Sequence, residues 1–260
     1  MLNRLARSIV VLVASLAVPA GLAAQGGARG GQGPATPATP KASAPIDLTG
    51  YWVSIVTEDW AWRMVTPRKG DYASLPLNDE GRRVADAWNP SKDEESGNQC
   101  KAYGAAHIMR VPGRLRITWD GDQTLKIETD AGQQTRMLQF GSSQPPSGEA
   151  GWQGHSIATW EVAGGRGPGG RGGPPPRGGS LKVVTTRMKS GYLRKNGVPY
   201  SESALVTEYF DRHAESNGDW FTVTTIVEDP KYLLQPFITS TDFKKEPDGS
   251  KWHPVPCTAR

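Results

Sequence analysis

Hydrophobic positions along this chain come in short bursts that alternate with polar ones. From about Ile46 to Trp62, the residues Tyr51, Trp52, Val53, Ile55 and Val56 are β-favouring types. Leu115–Trp119, Leu125–Thr129 and Thr135–Phe140 follow, set apart by the turn sequences Asp120-Gly121-Asp122 and Ala131-Gly132. His155–Val162, Leu181–Met188, Ala204–Arg212, Trp220–Glu228 and Phe237–Lys244 complete the series. About nine short strands with turn signals at this spacing predict an all-β fold, a sandwich or a barrel. Tight turns between successive segments favour an antiparallel meander, because neighbours in sequence tend to pair. Several strands are partly apolar on both parities: Phe221, Val223 and Val227 alternate with Trp220, Thr222 and Ile226. One wall of such a strand faces a core and the other a cavity or a covering loop. A barrel satisfies that best.

Two stretches break the pattern. Pro67 to Pro76 has turn chemistry, and Asn78 or Asp79 caps a short helix running to about Trp88, where Asn89-Pro90 stops it. Residues 64–106 therefore read as a covering loop with one short helix. Residues 163–180 are Gly, Pro and Arg with almost nothing to bury, which predicts a disordered loop inside a hairpin.

The chain opens differently. Arg4 and Arg7 precede an apolar run from Ser8 to Leu22, which ends in Ala23-Ala24-Gln25. That is the order of a secretory signal peptide over residues 1–25, and the run is too short for a comfortable membrane span. Residues 26–46 read as a flexible leader and 47–260 as a single domain. The expected location is periplasmic or secreted, with no membrane span. There, Cys100 and Cys257 are expected to pair as a disulfide.

Charge changes the picture less than the pI of 9.1 implies. Residues 1–46 carry Arg4, Arg7, Arg29 and Lys41 with no acid, and the 163–180 loop carries Arg166, Arg171 and Arg177 with none. The remaining chain is slightly acidic. A folded nucleic-acid surface needs a clustered basic face, so no nucleic-acid partner is expected.

Two resemblances add to this reading. Gly50-Tyr51-Trp52 resembles the G-x-W that opens lipocalin-type barrels, where the Trp closes one end, which implies a lipocalin-like barrel. More broadly, Trp152-Gln-Gly-His-Ser-Ile-Ala-Thr-Trp160-Glu161, Gly197-Val-Pro-Tyr-Ser-Glu-Ser-Ala-Leu205-Val-Thr-Glu208-Tyr-Phe-Asp-Arg212 and Val227-Glu-Asp229-Pro230-Lys-Tyr232 resemble a largely uncharacterised family of secreted soil-bacterial proteins. Many members have His where this chain has Tyr200, and the family implies no established activity.

Candidate chemistry centres on carboxylates and aromatics. Glu58-Asp59 and Glu228-Asp229 lie at strand ends, where one carboxylate must point to each face. Glu208 falls in the alternating set Ala204, Val206, Glu208, Phe210, with Arg187 as an ion-pair partner if the strands register that way. An inward carboxylate in an apolar barrel serves as a base or a polar anchor. Tryptophans at a barrel mouth suit flat, apolar or sugar-like ligands. The candidate ligand-binding set is Trp52, Trp60, Trp62, Trp160, Arg187, Tyr200, Glu208 and Glu228. The histidines His107, His155, His213 and His253 show no i,i+2 or i,i+4 pairing, and no nucleophile elbow, P-loop or H-E-x-x-H occurs. No metal, no cofactor and no particular catalytic residue is predicted. The predicted function is binding of a small, partly apolar ligand in the barrel cavity. The alternatives are a hydrolase or isomerase using a barrel carboxylate such as Glu208, and a cavity-free envelope interaction protein that uses its Arg/Gly/Pro loop.

Overall fold

The computed structural model describes residues 38–141, 144–145, 147–162 and 178–260; the expected signal peptide, most of the leader and most of the Gly/Pro/Arg loop lie outside these. The described strands are β1 (Gly50–Ile55), β2 (Arg114–Asp120), β3 (Thr124–Thr129), β4 (Thr135–Phe140), β5 (His155–Val162), β6 (Gly179–Thr186), β7 (Gly191–Arg194), β8 (Val198–Tyr200), β9 (Leu205–Glu215), β10 (Gly218–Glu228) and β11 (Phe237–Glu246). Nine of these close a barrel in the order β1-β11-β10-β9-β6-β5-β4-β3-β2, while β7 and β8 form a separate hairpin.

The barrel departs from a pure meander at one seam. Its pairings are antiparallel except between β4 and β5, which run parallel through Leu138↔Ser156, Gln139↔Ile157 and Phe140↔Ala158. The β7–β8 hairpin interrupts the chain between β6 and β9, which nevertheless pair with each other. Its turn holds Asn196-Gly197, with Gly197 at φ 86.

Alternation along each strand fills the interior in layers. At one end the inward rows are apolar: Trp52, Ile117, Leu138, Ala158, Val183, Phe210, Phe221 and Phe243 belong to one buried cluster. The Trp52 ring meets Phe221 edge-on at 4.7 Å, and Phe221 stacks on Phe243 at 4.8 Å. Moving along the same rows, Leu138 gives way to Arg136, Ala158 to Ser156, Val183 to Thr185, Phe210 to Glu208, Val223 to Thr225 and Phe243 to Thr241, all buried. Beyond this polar belt a second apolar cluster takes over, in which Val206, Val227 and Phe237 meet Leu193, Val198, Tyr200, Leu75 and Leu77.

Within the belt Arg136 and Glu208 form a two-pronged ion pair, Nη2 to Oε2 at 2.5 Å and Nη1 to Oε1 at 3.0 Å, both side chains fully buried. Arg136 Nη2 also lies 3.5 Å from Thr185 Oγ1, which exchanges a hydrogen bond with Ser156 Oγ at 2.7 Å. Glu208 thus takes Arg136 as its partner and not Arg187.

The covering segment 64–106 holds two short α-helices rather than the one expected, α2 (Asp79–Asp86) and α3 (Pro90–Glu95), and a further one, α1 (Trp60–Arg63), precedes it. Asn78 caps α2 by accepting from Gly81 N at 2.8 Å, as its side chain and position predicted. Asn89-Pro90 does more than stop that helix. Asn89 Oδ1 accepts from Ser91 N at 3.1 Å and Pro90 takes the first helical position, so the same pair starts α3. Helix α1 lies where the first strand was expected to continue. Asp59 is left-handed (φ 51) and turns the chain off the sheet.

The opposite end is closed by the segment before β1. Residues 38–46, expected as leader, pack there: Pro40 O accepts from Trp160 Nε1 at 2.8 Å, and Asp122 O from Lys41 N at 3.3 Å. Cys100 and Cys257 are disulfide-bonded, their Cα atoms 5.1 Å apart and 157 residues apart in sequence.

Removing one member of a buried ion pair strands the other, so Glu208→Ala is expected to lower unfolding free energy by about 3–5 kcal/mol. The double variant Arg136→Met/Glu208→Leu strands neither charge and is expected to recover most of that loss in urea denaturation. Additive destabilisation in the double variant would show that the pair has no such coupling.

Candidate functional site

The covered end carries a partly exposed rim with a groove beside it. Ser54 lies opposite Phe243, and Thr239 opposite Thr225, so both point inward. Both are nevertheless partly exposed. Outside this rim runs a groove of about 730 Å³, lined by Tyr72, Ala73, Leu75, Phe237 and Ile238 among others, with the Arg82 side chain at its edge. Phe237 belongs to the inner apolar cluster, so the groove floor is continuous with the barrel's upper core. Ile238 at 60% exposed, with Leu234 beside the groove at 75%, leaves an apolar rim.

Three buried arginines organise the covering segments at this end. Arg194, from the β7–β8 hairpin, donates to the backbone carbonyls of Asp71 (3.4 Å) and Ala73 (3.1 Å) and lies 4.9 Å over the Trp62 ring. Trp62 Nε1 donates in turn to Asp71 Oδ2 at 3.0 Å. On α1, Arg63 Nε donates to Arg110 O at 3.0 Å while its Nη1 pairs with Glu58. Arg110 Nη2 pairs with Asp59 at 2.7 Å. Burial, reinforced by the neighbouring Arg110 charge, pulls the Arg63 guanidinium below its ordinary value and brings Arg194 down to about 10. Two buried nitrogens, Arg63 Nη2 and Arg110 Nη1, have no hydrogen-bond partner.

The structure divides the predicted residues between the two ends. Trp62 and Tyr200 lie at the covered end, Glu208 in the belt below it, and Trp60 is 68% exposed on α1. Trp52 and Trp160 serve the sealed end: Trp52 Nε1 donates to Leu48 O at 2.9 Å, and Trp160 packs 5.2 Å from Phe140. Arg187 is exposed at φ 53, with Nη2 3.5 Å from Gly148 O. Glu228 is exposed, and its neighbour Asp229 is the inward member of the doublet. Asp229 accepts from Ser201 N at 2.6 Å and Ser201 Oγ at 2.8 Å, which fixes a turn. Glu208, the base in the enzyme reading, has both oxygens committed to Arg136.

Tyr200 is fully buried, and its hydroxyl has no partner. It presses against Gly104 and Gly191, where a Cβ would collide with it. Burial raises its pKa, so the phenol is neutral. The arginines were not foreseen, although Arg136 could have been: Arg136, Leu138 and Phe140 repeat in β4 the mixed row of Glu208 and Phe210 in β9. Among the described residues no group of three or more His, Cys, Asp or Glu side chains comes together as a metal site.

His107 is fully buried beside this cluster, its Nδ1 2.7 Å from Ala102 O. Burial pushes its pKa down to about 3, with Arg110, Lys195 and Arg194 adding to the effect. The folded state therefore keeps it neutral while the unfolded state takes up a proton near pH 6.5. Its contribution to stability is full above pH 6.5 and falls by about 1.4 kcal/mol per pH unit between there and about pH 3. His107→Gln is expected to flatten the acid limb of a stability–pH curve in that window. A separate test concerns Tyr200→Phe, which removes an unsatisfied buried hydroxyl and is expected to leave unfolding free energy unchanged or raise it by about 1 kcal/mol; a clear loss would mean the hydroxyl is satisfied. No protein-family model matches the chain and no curated protein matches it significantly, so geometry carries the reading of the site.

Proposed function

We propose that the protein is a periplasmic or secreted, lipocalin-like carrier that binds a small, partly apolar molecule without transforming it. The single observation that carries this reading is the groove of about 730 Å³ with Phe237 as its floor and an apolar rim at the covered mouth. Its volume falls within the usual range of ligand pockets, about 300–1,000 Å³. The ligand's place moves from the barrel cavity, whose two ends are filled by packed side chains, to a groove outside the rim. The disulfide supports an oxidising compartment. Among the described residues no helix is long and apolar enough to cross a membrane. Kinship with the secreted soil-bacterial family belongs to the same proposal. The enzyme alternative loses its leading base, because Glu208 is held by Arg136. The envelope-interaction alternative relies on a loop outside the described residues.

Tryptophan fluorescence and thermal unfolding across a library of small amphipathic metabolites test the reading. A ligand is expected to change Trp emission saturably and, at a hundred times its Kd, to stabilise the fold by about 2.7 kcal/mol. Ile238→Glu puts a charge on the exposed groove wall at little cost to folding, and is expected to weaken binding about tenfold (about 1.4 kcal/mol). No response from any library member, or full binding by Ile238→Glu, would remove the groove from the proposal.

A further inference from the structure

Arg63 and Arg110 each leave one buried guanidinium nitrogen without a hydrogen-bond partner. Both side chains are more than nine-tenths buried. An unpaired buried donor is costly, more so when it carries charge, and native proteins complete such groups with water, an ion or a ligand. The two residues are in contact, since Arg63 Nε donates to the backbone carbonyl of Arg110. Each is already half-occupied by a carboxylate from the protein itself, Glu58 on Arg63 and Asp59 on Arg110. Those carboxylates show what the site accepts. Both belong to the segment that leaves β1 and forms α1, whose outer face exposes Trp60, Met64 and Val65. Arg194, also buried, holds the carbonyl of Ala73, which lines the groove.

We infer that Arg63 and Arg110 form an oxyanion site, and that the carrier's ligand is an amphipathic acid whose carboxylate or phosphate group binds there while its apolar part lies in the groove. The oxyanion takes the two free guanidinium nitrogens and competes with Glu58 and Asp59 for the others, as carboxylates and phosphates do at paired arginines. The apolar half of this inference rests on the carrier reading; the oxyanion half does not.

Asp59 supplies the sharpest test. Its side chain is partly exposed, and Asn is among the few residues tolerated in its left-handed conformation. Asp59→Asn therefore releases Arg110 from its internal anion without straining the turn. Calorimetric titration is run with decanoate, decanol and inorganic phosphate on the native chain, Asp59→Asn and Arg110→Gln. The native protein is expected to bind decanoate at least tenfold more tightly than decanol. Asp59→Asn is expected to widen that ratio several-fold, and Arg110→Gln to erase it. Equal binding of acid and alcohol, or a ratio that Asp59→Asn leaves unchanged, overturns the inference even if Arg110→Gln fails to fold. If neither amphiphile binds, the carrier reading falls with this ligand class, and phosphate decides the rest. Phosphate binding that is tighter in Asp59→Asn keeps a site for a free anion; none in either protein overturns the site as well.

Discussion

The ion pair between Arg136 and Glu208 is the constraint on which the arrangement of the barrel depends. The two residues lie on β4 and β9, three strand steps apart through β5 and β6. At about 4.8 Å per step, the pair reaches across the curve of the wall and not along one seam. One of the seams it bypasses is the parallel one, β4 with β5, held by only three residue pairs. A slip of one residue in β4 would turn Arg136 outward and leave Glu208 alone in the interior. The desolvation cost of the pair makes it a poor source of net stability, but it makes the wrong register far worse. Its role is to select one barrel among several closures that would satisfy the apolar residues alone.

That same polar belt separates two ends with different tasks. Below it the aromatic plug around Trp52, Phe221 and Phe243 is buried, and residues 38–46 pack across that end. Above it a second apolar cluster around Val206, Val227 and Tyr200 fills the space, and the cover is assembled from α1, α2, the turn around Tyr72 and the β7–β8 hairpin. A lid made of loops pinned by arginines to backbone carbonyls, as at Arg194, can differ in sequence while keeping its position.

Much of this architecture was legible in the sequence. Period-two alternation and turn residues placed the nine barrel strands closely, because each strand has one wall against a core. The Asn78 cap and the pairing of two cysteines followed from local chemistry. The parallel seam did not, since strand direction across a connection as long as 141–154 leaves no trace in alternation. Helix α1 was missed because Trp60-Ala-Trp62 has strand composition, while the turn at Asp59 is set by arginines distant in sequence. The β7–β8 hairpin carried a usable signal in Asn196-Gly197, a dipeptide suited to hairpin turns. For the candidate site, type and alternation singled out the tryptophans at α1 and the inward position of Glu208, but not its partner Arg136. The buried arginines of the cover were not singled out, because lone Arg residues in loops resemble solvated ones until the fold buries them.

The disulfide joins Cys257, near the chain's end, to Cys100, upstream of β2. The covalent ring it creates contains every barrel strand but β1. That strand slots between β2 and β11, pairing with the first over Gly50–Val53 and with the second over Tyr51–Ile55. The first strand is thus the one stave outside the hoop, held to its neighbours by backbone ladders and packing and not by the covalent loop.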